Sequence, residues 1–328
     1  LKLLVTGGAG FIGSNFIRYM SMAYPEYTIL NVDSLTYAGN LNNLNIVENS
    51  QNYHFYKLSI TQKDELETLF QQGVDIVVNF AAESHVDRSI MDPNIFVMTN
   101  IVGTQTLLEL SKTYNVQKYV QISTDEVYGS LGKTGLFSES TPLAPNSPYS
   151  ASKAGADLLV RAYHETYGLP VNITRCSNNY GPYQFPEKLI PLMIINALND
   201  TKLPVYGDGL NVRDWLHVKD HCRAIDLVIH NGVSGEVYNI GGNNEYTNIN
   251  IVKLILELLD KPDSLIEYVE DRLGHDKRYA IDATKIKSEL NWQPLYNFET
   301  GIRESVQWYL ENEQWWTEIL NGSYQNKN

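Results

Sequence analysis

The chain has 328 residues, 43% of them hydrophobic and 19% charged, and a formal net charge of −13. That length allows a large core, in one big domain or two closely joined ones. The acidic balance excludes non-specific nucleic-acid binding and gives an anionic membrane nothing to attract. No apolar run approaches a membrane span. Cys176 and Cys222 are the only cysteines, too few for a disulfide framework or a cysteine-based metal site, and read as reduced core residues of a cytoplasmic protein. The chain opens inside a strand without an initiator Met, which reads as a trimmed start and not as a signal peptide.

Strand-like runs fall near 3–6, 28–33, 53–58, 75–80, 118–123, 171–175 and 236–240, with helical patterns near 11–23, 63–71, 94–114 and 149–167. This alternation predicts an α/β protein with a doubly wound parallel sheet of about seven strands. Past residue 177 the pattern loosens, with helices near 188–199, 219–230, 249–259 and 300–311 and a polar tail from Asn321 that reads as frayed. The expected organisation is a doubly wound (Rossmann) domain over 1–177, to which the chain returns near 212–243. A smaller, interleaved substrate domain occupies most of 178–328.

The first strand runs into Gly7-Gly8-Ala9-Gly10-Phe11-Ile12-Gly13 and then a helix. Glycines at this spacing allow a tight turn, close approach of a pyrophosphate, and close packing of helix on strand. The helix N-terminus offers free N–H groups to the phosphates. The second strand ends at Asp33, about twenty residues past Gly13, where a carboxylate accepts ribose hydroxyls and repels a 2′-phosphate; NAD is therefore favoured over NADP. An ordinary strand–turn–helix with a surface Asp is the structural alternative.

Asn79-Phe80-Ala81-Ala82-Glu83-Ser84-His85 follows the fourth strand, on the sheet edge where ligands lie. The small Ala81 and Ala82 allow backbone approach, and Ser84 and His85 can reach a substrate. The fifth strand ends in Ser123-Thr124-Asp125-Glu126. Two carboxylates converging on one substrate raise each other's proton affinity, so that one can act as acid and the other as base; the alternative is a solvated acidic turn. Tyr149 and Lys153 stand four apart and share a helix face. A neighbouring ammonium and a positive nicotinamide ring are expected to lower the phenol's pKa, making Tyr149 a usable base.

Taken together, Thr6–Gly13, Asp33-Ser34-Leu35-Thr36-Tyr37-Ala38-Gly39-Asn40, Ala81–Asp87, Ser123–Gly129 and Tyr149-x-x-x-Lys153 resemble the motifs of the extended short-chain dehydrogenase/reductase family, and within it the dTDP-glucose 4,6-dehydratases. The consecutive Asp125-Glu126 pair discriminates best, because related epimerases and decarboxylases lack it. The resemblance implies tightly held NAD, contacted by Gly7, Gly10, Phe11, Ile12, Gly13, Asp33, Ser34, Thr36, Ser59, Ile60, Ala81, Ala82, Ser84, Asn100, Tyr149 and Lys153. It implies that Thr124 and Tyr149 engage the sugar C4 hydroxyl while Asp125 and Glu126 serve an elimination. Ser84, His85, Thr124, Asn179, Lys188, Leu189, Pro204, Tyr206, Arg213, Asn248, Arg272 and His275 are then the nucleotide-sugar contacts. A guanidinium fork suits Arg213 and Arg272 to a diphosphate.

Two positions depart from the family pattern: Ser59-Ile60 stands where an Asp beside the adenine is usual, and Leu273 where a Pro is usual. The family also implies a homodimer built through helices near 94–114 and 149–167 as a four-helix bundle, with Leu107, Leu108, Leu158 and Leu159 available to the sheet or to a partner. No metal is required. The expected reaction is dehydration of a nucleotide-activated glucose to a 4-keto-6-deoxy sugar, as in deoxysugar (for example rhamnose) biosynthesis, with dTDP preferred by resemblance alone. A nucleotide-sugar 4-epimerase and a non-catalytic NAD sensor are the alternatives.

Overall fold

The computed structural model describes residues 1–327. Its strands are β1 (Lys2–Thr6), β2 (Thr28–Asp33), β3 (Tyr53–Lys57), β4 (Ile76–Asn79), β5 (Lys118–Thr124), β6 (Val171–Cys176), β7 (Asn178–Tyr180), β8 (Leu203–Tyr206), β9 (Val212–His217), β10 (Val237–Ile240), β11 (Glu245–Thr247) and β12 (Ile266–Val269). Among the described residues the large sheet has seven parallel strands in the order β10-β6-β5-β4-β1-β2-β3. These are the seven strands read from the sequence. Beside it stand a three-stranded sheet, β11-β9-β7, and a parallel pair, β12-β8.

The apolar runs are continuous because the sheet serves two cores. Leu3 and Val5 enter one and Leu4 the other; Ile76 and Val78 oppose Val77 in the same way. Side chains alternate across a strand, so covering both faces requires apolar residues at every position. Burying each such side chain contributes roughly 1.5–3 kcal/mol.

The helices are α1 (Phe11–Ala23), α2 (Lys63–Phe70), α3 (Val86–Met91), α4 (Pro93–Phe96), α5 (Thr104–Thr113), α6 (Pro148–Tyr167), α7 (Leu189–Leu198), α8 (Val218–Asn231), α9 (Asn248–Leu258), α10 (Thr284–Leu290), α11 (Phe298–Glu311) and α12 (Glu313–Leu320). Side chains of α1, α8 and α10 fill the core on one face of the sheet, and those of α2, α5 and α6 the core on the other. A third core joins α7, α9, α11 and α12 around Tyr180 and Trp215. The chain therefore re-enters the large sheet's cores at α8 and β10 and again at α10, while β9 lies in the small sheet.

Two local features differ from the sequence reading, and a third decides an alternative that it left open. The helix expected over 94–114 is broken by a π turn at Val97–Gly103, which re-phases it and buries Asn100 and Gly103. Leu107 and Leu108 are wholly buried in the sheet's core, so neither is open to a partner; Leu158 is exposed. The tail is not frayed up to Lys327: Ser323–Lys327 forms a 3-10 turn in which Tyr324 is buried and its hydroxyl donates to the Tyr37 carbonyl.

Candidate active site

The functional motifs converge because strand order reverses between β1 and β4, opening a crevice at their carboxyl ends. A cavity of about 580 Å³ occupies it, walled by the glycine turn, the end of β2, the loop after β4, the end of β5 and the first turns of α6. Gly7 turns at φ 69, and a Cβ there would come within 2.6 Å of the Ala81 nitrogen. The N-terminus of α1 begins at Gly10 with no side-chain cap and no acidic residue in its first turn. Its free N–H groups and dipole fit a pyrophosphate. Asp33 closes the other end, its Oδ2 accepting from Ala9 N at 2.9 Å and its Oδ1 from Leu35 N at 2.8 Å. Each oxygen keeps a lone pair for a ribose hydroxyl, so the residues present fit a dinucleotide.

Of the expected cofactor contacts, Gly7, Gly10, Phe11, Ile12, Gly13, Asp33, Ser34, Thr36, Ser59, Ile60, Ala81, Ala82, Ser84, Tyr149 and Lys153 line this cavity. Asn100 does not. It is buried, with Oδ1 accepting from Glu83 N and Nδ2 donating to Glu83 O and Ser152 Oγ, so it braces the loop after β4 against α6. Ile95, from α4, and Met98 and Thr99, from the π turn that the helical period alone does not signal, line the cavity instead.

The inner end carries the reactive groups. Ser147 caps α6 in a reciprocal capping box with Ser150, with Pro148 at the first turn, and this sets the helix phase that buries both Tyr149 and Lys153. Lys153 Nζ donates to the Ile122 carbonyl at 2.6 Å, and burial lowers its pKa. The expected lowering of the Tyr149 phenol is not a property of the chain by itself. Burial and then the Glu126 charge hold that phenol well above its ordinary value, with a Thr124 hydrogen bond working the other way.

Asp125 and Glu126 open a 3-10 turn capped by the Thr124 hydroxyl. Burial first, and then the Glu126 charge, push the Asp125 carboxyl well above the usual carboxylate range; its Oδ2 is buried without a partner. Burial also raises Glu126, but Arg213, Lys188 and Arg272 oppose that rise.

A second cavity of about 260 Å³ adjoins the first, and Ser84, Glu126, Asn179 and Lys188 belong to both. His85, Leu189, Pro204, Tyr206, Arg213, Asn248, Arg272 and His275 line the second. Asn179 is spent on internal bonds, with Nδ2 donating to Ser177 O and Oδ1 facing His221 Nδ1 at 2.9 Å. Arg213 donates to the Asp276 carbonyl at 3.0 Å and lies over the Tyr279 ring. Arg272 pairs with Asp87, at 2.5 Å from Nε to Oδ1. Asp87 and Glu187 escaped the sequence reading as site residues; Glu187 sits 3.6 Å from His85 and lines both cavities. Of the two departures, Ser59 faces the first cavity while Leu273 is exposed to solvent.

The family model for GDP-mannose 4,6 dehydratase matches residues 4–305. A dTDP-glucose 4,6-dehydratase of Neisseria meningitidis is 54% identical, over 98% of this chain and 97% of that protein. The solved dTDP-glucose 4,6-dehydratase of Bacillus anthracis, in complex with NAD, superposes with a TM-score of 0.92 at 59% identity, covering 97% of this chain and 99% of that one. That of Streptomyces venezuelae, also with NAD bound, gives a TM-score of 0.95 at 51% identity, covering 97% and 100%. The chain belongs to the dTDP-glucose 4,6-dehydratase family. What marks this dehydratase site chemically is the meeting of its two cavities at Glu126, beside a buried acid and across from a tyrosine at a helix start. Among the described residues no cluster of His, Cys, Asp or Glu is arranged to hold a metal ion.

Proposed function

We propose that this protein dehydrates dTDP-glucose to dTDP-4-keto-6-deoxyglucose, with NAD in the first cavity and the nucleotide sugar in the second. The observation that carries the reading is Glu126, a half-buried carboxylate lining both cavities next to Asp125, whose burial favours its protonated form. A 4-epimerase has no use for that pair, and a sensor needs neither it nor Tyr149.

When bound, NAD would supply the redox chemistry, hydride acceptance at sugar C4 and its return at C6, so that the net reaction is loss of water. Tyr149 takes the C4 hydroxyl proton as a phenolate, a form the chain alone disfavours and that a positive nicotinamide ring and the Lys153 ammonium beside it would favour; Thr124 shares that hydroxyl. Lys153, immobilised on the Ile122 carbonyl, holds the cofactor's ribose side of the pocket. The C4 ketone acidifies C5, and Glu126 removes the C5 proton; three nearby cations favour its ionised form. Burial and the Glu126 charge favour the protonated form of Asp125, which gives its proton to the C6 hydroxyl, and that hydroxyl leaves as water. Asp125 lines neither cavity, so this transfer requires its buried, unpartnered Oδ2 to be uncovered. Glu126 then returns its proton to C5. The base must be ionised and the acid protonated at one pH, and the unequal surroundings of the two carboxyls supply that difference.

Arg213 and Arg272 bind the diphosphate, with Lys188 at the junction. The segment 1–177, with its return near 212–243, serves mainly as the NAD-binding domain and 178–328 mainly as the sugar-nucleotide domain. Val97, Val102 and Leu158 are exposed apolar residues on the helical faces offered to a second copy, supporting a homodimer through a four-helix bundle. A cytoplasmic role in deoxysugar biosynthesis accords with two free, buried cysteines and with the lack, among the described residues, of a helix long and apolar enough to cross a membrane. Offering dTDP-, UDP- and CDP-glucose separately tests the substrate: 4-keto-6-deoxy product should form fastest from dTDP-glucose, and equal rates on all three would defeat that assignment.

A further inference from the structure

The first cavity has a wall that its own domain does not hold up alone. Ser34, Thr36, Ala38 and Gly39 line it from the loop after β2, and that loop carries Leu35 at φ 52. A leucine keeps such a left-handed backbone only where its surroundings impose it. Part of the support comes from the glycine turn, where the Ala9 carbonyl accepts from Asn40 N and from Asn43 Nδ2, each at 3.0 Å. The rest comes from the far end of the chain. Trp315 Nε1 donates to Asn43 Oδ1 at 2.8 Å, Asn42 Nδ2 donates to Glu318 at 3.1 Å, and the Tyr324 hydroxyl donates to the Tyr37 carbonyl.

We infer that the C-terminal segment 313–327 is a clasp that positions the cofactor cradle and slows cofactor release, with Asn43 as its joint. The inference rests on reading the first cavity as the NAD site. Asn43 is 2% exposed and uses both ends of its amide, one on the C-terminal helix and one on the phosphate-binding turn. Ala9 passes the constraint on, because its own N–H donates to Asp33, the residue at the ribose end. The clasp is anchored on the opposite side, in the third core, where Trp316 is buried and donates to the Tyr309 carbonyl at 3.0 Å. A terminal helix that merely filled space would need no polar line of this kind into the glycine turn. Trp315, Asn43 and Tyr324 are thus positioning residues: none of them lines either cavity.

The test uses the NAD-loaded protein and the double variant Trp315→Phe/Tyr324→Phe, which keeps an aromatic ring at each position and removes both hydrogen-bond donors. Exchange of bound NAD for isotopically labelled NAD should speed up about tenfold, the effect of two ordinary hydrogen bonds. The affinity of the same protein for dTDP should not change. A second variant ending at Gly322 should likewise release NAD faster than the full chain. Exchange at the wild-type rate in both variants overturns the clasp. So does parallel weakening of NAD and dTDP binding, which would mark general loosening. A wild-type chain that takes up no NAD overturns the cofactor reading and the clasp together, whereas normal NAD exchange without turnover of dTDP-glucose overturns only the dehydratase reading.

Discussion

Asp125 and Glu126 adjoin in sequence yet stand in unlike surroundings: the Asp125 carboxyl is 1% exposed with Oδ2 unpartnered, while Glu126 lines both cavities under the influence of Arg213, Lys188 and Arg272. Glu126→Gln keeps the shape and removes the proton acceptor. The variant should still oxidise the sugar at C4, seen as absorbance of reduced cofactor on rapid mixing, while losing water about 10²–10⁴-fold more slowly. Normal dehydration with no build-up of reduced cofactor would take the base role away from Glu126.

Burial and the neighbouring carboxylate raise the Asp125 pKa above its ordinary 3.8. The folded chain therefore keeps a proton that the unfolded chain releases. The group's stabilising contribution is complete below that ordinary value and is lost as pH rises through the folded pKa. Asp125→Asn does not titrate, so its Tm should gain on the wild type as pH is raised from about 4 to 8. Parallel Tm curves would show that the carboxyl is not proton-laden in the fold.

Tyr149→Phe leaves the ring, and with it the contact to Phe96, whose centroid lies 6.3 Å away. Loss of the proton acceptor should lower kcat by about 10²–10⁴ while dTDP affinity and NAD content stay constant. Retained activity would pass the role to Thr124.

Asp33→Asn should weaken NAD binding and narrow its advantage over NADP, because the repulsion of a 2′-phosphate is gone. Calorimetric titration with both nucleotides measures this. An unchanged NAD affinity would sink the ribose assignment.

Much of this protein follows from local sequence. The strands at 28–33 and 118–124, the glycine turn from Gly7 to Gly13 and the Tyr149–Lys153 pair depend on periodicities spanning a few residues, which neighbouring side chains and backbone sterics decide. The acidic pair at 125 and 126 was legible for the same reason, since its residues are consecutive. Only the tertiary structure decided what those residues experience. Burial turned Tyr149 into a phenol held protonated by its own protein and separated Asp125 from Glu126, because desolvation depends on everything that packs around a group. The strands Asn178–Tyr180 and Glu245–Thr247 have too few residues to show a period and exist because Val212–His217 lies between them. Asn100 became a brace through a π turn that changes helical phase. Trp315 met Asn43 across 272 residues of sequence, a contact that needs the whole chain to close before either residue has a partner.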